Sequence, residues 1–364
     1  MQRGRFYIGI DWATEKHALC VTDAEGHIIK ERSIPNDSGL FEIIFALIAG
    51  ASSNEVFVAI ETRRLVLVEA LLARGFKVFT INSKQSDRFR DRFSVAGAKD
   101  DRFDARVLAS ALRTDFDLFR AVEPETGQQI RLRTATRMAQ TIKEQSREVA
   151  NRLRDIVMYS MPLLLGLCNG ADEAWFWDLV LLAPSPDTAK DITDEKLKEL
   201  LIGHRIRRIN ISAVQAVLKG AHLAAAAGVY QGAAWQASLL VAQLQLLATQ
   251  ERAADAEVTA ALRDLPKTEG AVNDAEIIMS APGFAEHTTG VLLAEAGAVI
   301  TRRDYLELRA VCGVAPVTKS SGKRRKKSKW TKDQNVDGVV VMRRAVNMRL
   351  RNAVHHAGNT ASRD

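Results

Sequence analysis

The sequence predicts an α/β N-terminal domain, a long helical, coiled-coil-like middle and a small, mainly helical C-terminal domain. Three observations carry this reading. Short β-branched apolar runs separated by turns occupy residues 5–82. A densely charged amphipathic stretch fills 126–160, and Ala/Leu/Gln-rich helical patterning returns at 233–263. The last part of the chain turns basic around KRRKKSKWTK at 323–332. With 364 residues there is room for roughly two or three domains, and the expected divisions are 1–120, 121–265 and 270–364.

In order, residues 5–12, 17–23 and 27–34 read as successive strands joined by tight turns, one of them at Glu25-Gly26. A helix over 39–50 leads into a strand at 55–61. A helix at 65–74 and a strand at 77–82 follow, then helical sequence through 113. Three antiparallel strands followed by alternating helix and strand is the order of an RNase H-like fold. In the middle, Leu132, Met138, Ile142, Val149, Leu153 and Ile156 form an apolar stripe flanked by opposite charges, and Pro162 stops the helix. APSPD at 183–187 marks a loop, and 194–218 resumes helical patterning. An intramolecular bundle and a dimer through the long helices both satisfy this pattern. From about 274, Pro282-Gly283 separates two apolar stretches, the second a helix beginning near Thr288. The segment is compatible with a helix-hairpin-helix-like element offering amides to phosphate, and with a simple loop-to-helix turn.

Composition narrows the function classes. Hydrophobic content of 47% with few aromatics suits a helix-rich soluble protein, and no apolar stretch is long enough to span a bilayer. The polar, Arg-containing start is not that of a signal peptide. Cys20, Cys168 and Cys312 are scattered without metal-ligand spacing and read as packing residues in a reducing cytoplasm. The net charge of +7 suggests a polyanionic partner.

Four acids bear the chemistry. Asp11 in FYIGIDWA and Glu61 in EVFVAIETR each follow a strand-like run; Asp101 and Asp104 stand three apart in KDDRFDARVLA, on one side of a helical pattern. Each has an ordinary reading. Asp11 suits a turn, Asp101 a helix start, and Glu61 a surface pair with Arg63 or Arg64. Together, clustered carboxylates repel unless a cation neutralises them, and Mg²⁺ suits hard oxygen donors. Two such ions ~4 Å apart can clamp the attacking and leaving oxygens of a phosphodiester. Lys323, Arg324, Arg325, Lys326 and Lys327 form the densest basic run, with Trp330 able to stack on a base. Arg343, Arg344, Arg349 and Arg351 follow, as phosphate contacts or as a solvated helix face.

The order Asp…Glu…Asp-x-x-Asp, then long helices, then LLAEAG…CGVAPVTKSSGK…MRRAVNMRLRNAVHH resembles the DEDD transposases of insertion sequences, the bridge-RNA-guided serine recombinases. The resemblance spans nearly the whole chain. It implies a RuvC-like N-terminal domain whose Asp11, Glu61, Asp101 and Asp104 bind Mg²⁺. It also implies a C-terminal transposase domain whose serine, directly before the glycine, attacks DNA and forms a phosphoserine link. That serine is Ser321, with Ser320 adjacent. A lone serine needs an activator. No triad histidine is evident, since His355 and His356 lie on a helical tail, so the acid-held metal is expected to serve in a composite active site. Strand exchange through an ester conserves bond energy, and the sequence has no Walker-type loop. The implied partners are donor and target DNA, a non-coding guide RNA and further copies of the chain, as a dimer or synaptic tetramer. The implied setting is the bacterial cytoplasm, at the nucleoid. Two features depart from the family: Asp100 replaces a small hydroxyl residue, and the Lys-rich stretch between Gly322 and Val339 is longer than usual. A Holliday-junction-type nuclease using water, and an inactive nucleic-acid-binding relic, are the competing readings.

Overall fold

Alternation along the first strands decides how the N-terminal unit is built. The computed structural model describes residues 3–48, 50–62, 65–93, 100–223, 225–266, 273–319, 339–343 and 346–363. Strands β1 (Phe6–Asp11), β2 (Lys16–Asp23) and β3 (Ile28–Pro35) pair antiparallel in succession. After α1 (Leu40–Leu47), strand β4 (Val56–Ile60) joins β1 in parallel, and after α2 (Val66–Ala73), β5 (Lys77–Thr80) joins β4. The sheet order is β3-β2-β1-β4-β5, consistent with an RNase H-like fold. Helices α3 (Ser83–Arg90) and α4 (Asp101–Thr114) follow, so the helical sequence expected through 113 is two helices.

Side chains two apart share a face. Ile8 and Ile10 of β1 and Val56, Val58 and Ile60 of β4 therefore pack with Ile44 of α1 and Val68 and Leu71 of α2. The opposite face carries Tyr7, Phe57, Ala59 and Phe79, which pack with Leu108 and Leu112 of α4 and with Phe116. Asp11, the last residue of β1, continues this second alternation, and Glu61 follows β4 directly.

The chain divides into two compact units, Met1–Glu125 and Thr126–Asp364. In the second, α5 (Gly127–Ser160) starts from a capping box between Thr126 and Gln129. Four shorter helices, α6 (Ala174–Leu182), α7 (Pro186–Lys190), α8 (Asp194–Gly203) and α9 (Ile211–Leu218), lead to α10 (Ala227–Arg263). The helical patterning at 194–218 is thus broken, with Arg205 at φ 57° between α8 and α9. Next come α11 (Asp274–Met279), α12 (Glu286–Thr301), α13 (Tyr305–Val311), the antiparallel pair β6 (Pro316–Lys319) and β7 (Val339–Met342), and α14 (Met348–Ala361). The small sheet is an addition to a region expected to be mainly helical. Leu132 and Leu153 of α5, Trp175 and Phe176 of α6, Leu244 of α10, Leu292 of α12 and Leu350 of α14 belong to one core.

Most of the expected stripe on α5 is buried, but Met138 is 57% exposed. Six residues beyond Leu132 put it about 120° around the helix, whereas Ala135, Ala139 and Ile142 keep to the buried side. The Pro282-Gly283 turn between α11 and α12 packs against α14: Gly283 has φ 83°, and a Cβ there would meet the Ala357 carbonyl oxygen at 2.2 Å. Among the described residues, no helix is long and apolar enough to cross a membrane.

Candidate active site

β1 and β4 run in parallel with Ile10 opposite Ile60, so Asp11, the last residue of β1, and Glu61, directly after β4, stand at neighbouring carboxyl ends. Gly9 brings the third element to them. Helix α4 crosses β1 so closely that a Cβ on Gly9 would lie 1.9 Å from the Ala105 carbonyl oxygen and 2.6 Å from the Ala109 amide nitrogen. Ala18 and Cys20 of β2 meet Ala105 and Ala109 in the same seam of small side chains. Burial pushes the Cys20 thiol up to about 12, with help from the charge of Glu31, which marks it as an inert packing residue.

The first turn of α4 divides the acids. Asp100 is the N-cap, and its carboxylate accepts from the Arg102 amide at 3.2 Å. Asp suits such a position because its side-chain oxygen satisfies an amide that the helix start leaves without an intrahelical partner. Asp101 is the exposed first residue of α4, whereas Asp104 is 4% exposed. The Asp104 carboxylate accepts from Arg90 Nε at 2.8 Å, while Arg90 Nη1 donates to Asp87 at 3.0 Å. Burial opposes the charge on Arg90, but the bond to Asp104 and the charges of Asp104, Asp87 and Glu61 outweigh it and hold the guanidinium protonated. Glu61 and Asp104 thus both act on Arg90. No group of three or more His, Cys, Asp or Glu close enough to hold a metal is gathered among the described residues. The donor chemistry suits a hard cation, and a guanidinium takes one of the donors.

The loop after Asp11 is fixed by a buried histidine. His17 Nδ1 accepts from the Ala13 amide at 3.1 Å, and Nε2 faces Asn36 Oδ1 at 3.1 Å. Asn36 Nδ2 in turn donates to the Thr14 carbonyl at 3.0 Å. The pattern requires neutral imidazole with its proton on Nε2. Burial holds the His17 pKa below its ordinary 6.5, against the opposing effect of the Asn36 bond. The unfolded chain therefore takes up this proton more readily than the folded one, and stability falls as pH drops below 6.5. His17→Gln should flatten that acid limb in thermal unfolding scans between about pH 7.5 and 5.5. A wild-type profile unchanged by the substitution would contradict this role.

Ser320, Ser321, Lys323, Arg324, Arg325, Lys326, Lys327, Trp330 and Arg344 lie outside the described residues. Arg343 is exposed just after β7. Arg349 is engaged differently: its Nε lies 3.2 Å from Glu295 Oε1, and its side chain is 20% exposed. Glu295 also receives Arg137 Nε and Nη2 at 2.8 and 3.0 Å and Asn347 Nδ2 at 2.9 Å. Asn347 is the N-cap of α14, accepting from the Arg349 and Leu350 amides. Two residues of the C-terminal motif, Asn347 and Arg349, are thus half-buried against Glu295 in the second unit.

Sequence reasoning passes over Arg90, Gly9 and Glu295. A glycine inside an apolar strand was the available signal for Gly9. The other two are polar residues whose partners lie far along the chain or beyond a turn.

Residues 8–162 match the DEDD transposase domain of the IS110 type, and residues 275–364 match the transposase IS116/IS110/IS902 family. Protein y4uE of Sinorhizobium fredii is 42% identical over 208 residues, covering 56% of this chain and 58% of its own length. The chain therefore spans just over half of that relative. The IS117 mini-circle protein of Streptomyces coelicolor is 28% identical over 87% of this chain and 78% of its own length. A 44.8 kDa protein of insertion element IS116 from Streptomyces clavuligerus is 29% identical over 88% of this chain and 78% of its own.

Proposed function

Because the chain belongs to the IS116/IS110/IS902 transposase family of insertion sequences, we propose that it is a DNA recombinase that mobilises its own element through a covalent phosphoserine intermediate. The observation that supports this reading is the parallel register of β1 and β4, in which Ile10 pairs with Ile60 directly before Asp11 and Glu61.

Ser321 is the nucleophile. Its Oγ attacks phosphorus, forming a serine–phosphate ester and breaking the phosphodiester bond to the neighbouring nucleotide, which leaves as a free hydroxyl. A hydroxyl on the exchanged DNA end then attacks the ester and restores both the DNA backbone and the serine. Bonds are exchanged one for one, so no nucleotide triphosphate is consumed. Asp11, Glu61, Asp104 and Asp101 would hold Mg²⁺, which when bound polarises the phosphate and favours the serine alkoxide. Lys323 to Lys327, Trp330, Arg343 and Arg344 hold the polyanion through phosphate contacts and stacking. Arg349, paired to Glu295, positions the C-terminal helix instead. Donor DNA, target DNA and a guide RNA encoded beside the element are the partners, and further copies of the chain complete the synaptic assembly on bacterial DNA.

The test combines the full chain, Mg²⁺, RNA transcribed from the element's flanks and end-labelled DNA spanning the element junction. Rejoined product should require the RNA and fall by roughly 10³-fold or more in Asp11→Asn and in Ser321→Ala. Cleavage that survives Ser321→Ala would assign water as the nucleophile and make the protein a structure-specific nuclease.

A further inference from the structure

Asp104 stands in two incompatible roles. Its carboxylate is 6% exposed and bonded to Arg90, and it is also one of the oxygens that the proposed function gives to a divalent ion. A buried carboxylate without a counter-charge is strongly unfavourable. Arg90 supplies that charge here, from the last position of α3, with its own side chain 23% exposed. A guanidinium at 2.8 Å occupies a lone pair of Asp104 Oδ1, and its charge repels any second cation brought to the same carboxylate. The two cations therefore compete for Asp104. Asp87, 64% exposed and three residues back on the same helix, already accepts from Arg90 Nη1 at 3.0 Å. It keeps the guanidinium paired when Asp104 is withdrawn.

We infer that Arg90 is the resident counter-cation of the acidic site, and that a divalent ion binds by displacing it from Asp104 onto Asp87. The inference rests on the reading of Asp104 as a metal ligand. Metal binding is then coupled to the position of α3, because the ion can enter only when the end of that helix lets Asp104 go.

The test uses Mn²⁺ as probe on the full chain, with binding followed by the paramagnetic signal of the free ion and unfolding followed by heat. In Arg90→Gln without metal, the midpoint should fall by about 5–10 °C, since Asp104 loses its partner. Mn²⁺ should bind this variant at least ~10-fold more tightly than wild type, and should return the midpoint towards the wild-type value. Asp104→Asn should abolish binding in both backgrounds. Equal or weaker Mn²⁺ binding by Arg90→Gln, with Asp104→Asn still abolishing it, would overturn the competition and leave the metal site standing. Binding untouched by Asp104→Asn would overturn the ligand role and the inference with it. Should Arg90→Gln not fold, the Arg90 Nε–H resonance of the wild-type chain, identified by its loss in Arg90→Lys, decides the matter. Broadening or loss of its protected signal on adding Mg²⁺ supports displacement, and an unmoved signal at saturating Mg²⁺ overturns it.

Discussion

Gly9→Ala is expected to prevent α4 from seating on the sheet, at a cost of about 4 kcal/mol or more to the N-terminal unit. The added Cβ would stand 1.9 Å from the Ala105 carbonyl oxygen and 2.6 Å from the Ala109 amide nitrogen, both backbone atoms that no rotamer change can move. Relief requires the helix to shift bodily, which opens the seam formed with Ala18 and Cys20 and moves Asp104 and its bond to Arg90. The substitution therefore strikes fold and site together, although Gly9 touches neither substrate nor metal. Urea unfolding followed by circular dichroism, with limited proteolysis of the N-terminal unit, checks it. A midpoint close to wild type would mean that α4 has room the structure does not show.

Glu295→Ala is expected to destabilise the second unit by roughly 3–5 kcal/mol. Glu295 is 6% exposed and is the acceptor for Arg137, while Arg349 is ion-paired to it. Removing it leaves two half-buried guanidinium groups without this carboxylate and loosens Asn347, whose other end caps α14. The same arrangement sets a pH dependence. Burial raises the Glu295 pKa, but the bonds from Arg137 and Asn347 and the charges of Arg137 and Arg349 outweigh it and hold the value below the ordinary 4.5. The contribution is thus present above 4.5 and is lost as pH falls through the lower, folded value. Chemical unfolding at neutral pH should show the loss in Glu295→Ala, and the difference from wild type should narrow on acidification. A variant as stable as wild type at neutral pH would show that the guanidinium groups find other partners.

How much of this was legible in the sequence follows from the range of each interaction. The strands were readable because short apolar runs bounded by turns are local, and they carried Asp11 and Glu61 to the ends of neighbouring strands. Gly9 announces close approach only to a reader who knows which helix will approach. The break between α3 and α4 and the β6–β7 pair were not legible, because short elements leave weak periodicity and β6 finds its partner well along the chain. Met138 was misplaced because a stripe with loose spacing tolerates one residue off the helical face. Ion pairs are the least legible of all. Arg90 and Asp104 are 14 residues apart and Arg137 and Glu295 are 158 apart, and no local pattern marks either pair. The acids could be read from topology, whereas Ser321 came only from resemblance to a family.

The serine is where the proposed chemistry stands or falls. The most direct measurement traps the reaction of the wild-type chain on a nicked, labelled junction DNA that cannot be rejoined. Protease digestion and mass spectrometry then locate any nucleotide left on the protein. A phosphodiester-linked nucleotide on Ser321, absent from Ser321→Ala and from Asp11→Asn, is the expected result. Cleaved DNA with free ends, and no nucleotide on any serine of the chain, would contradict it.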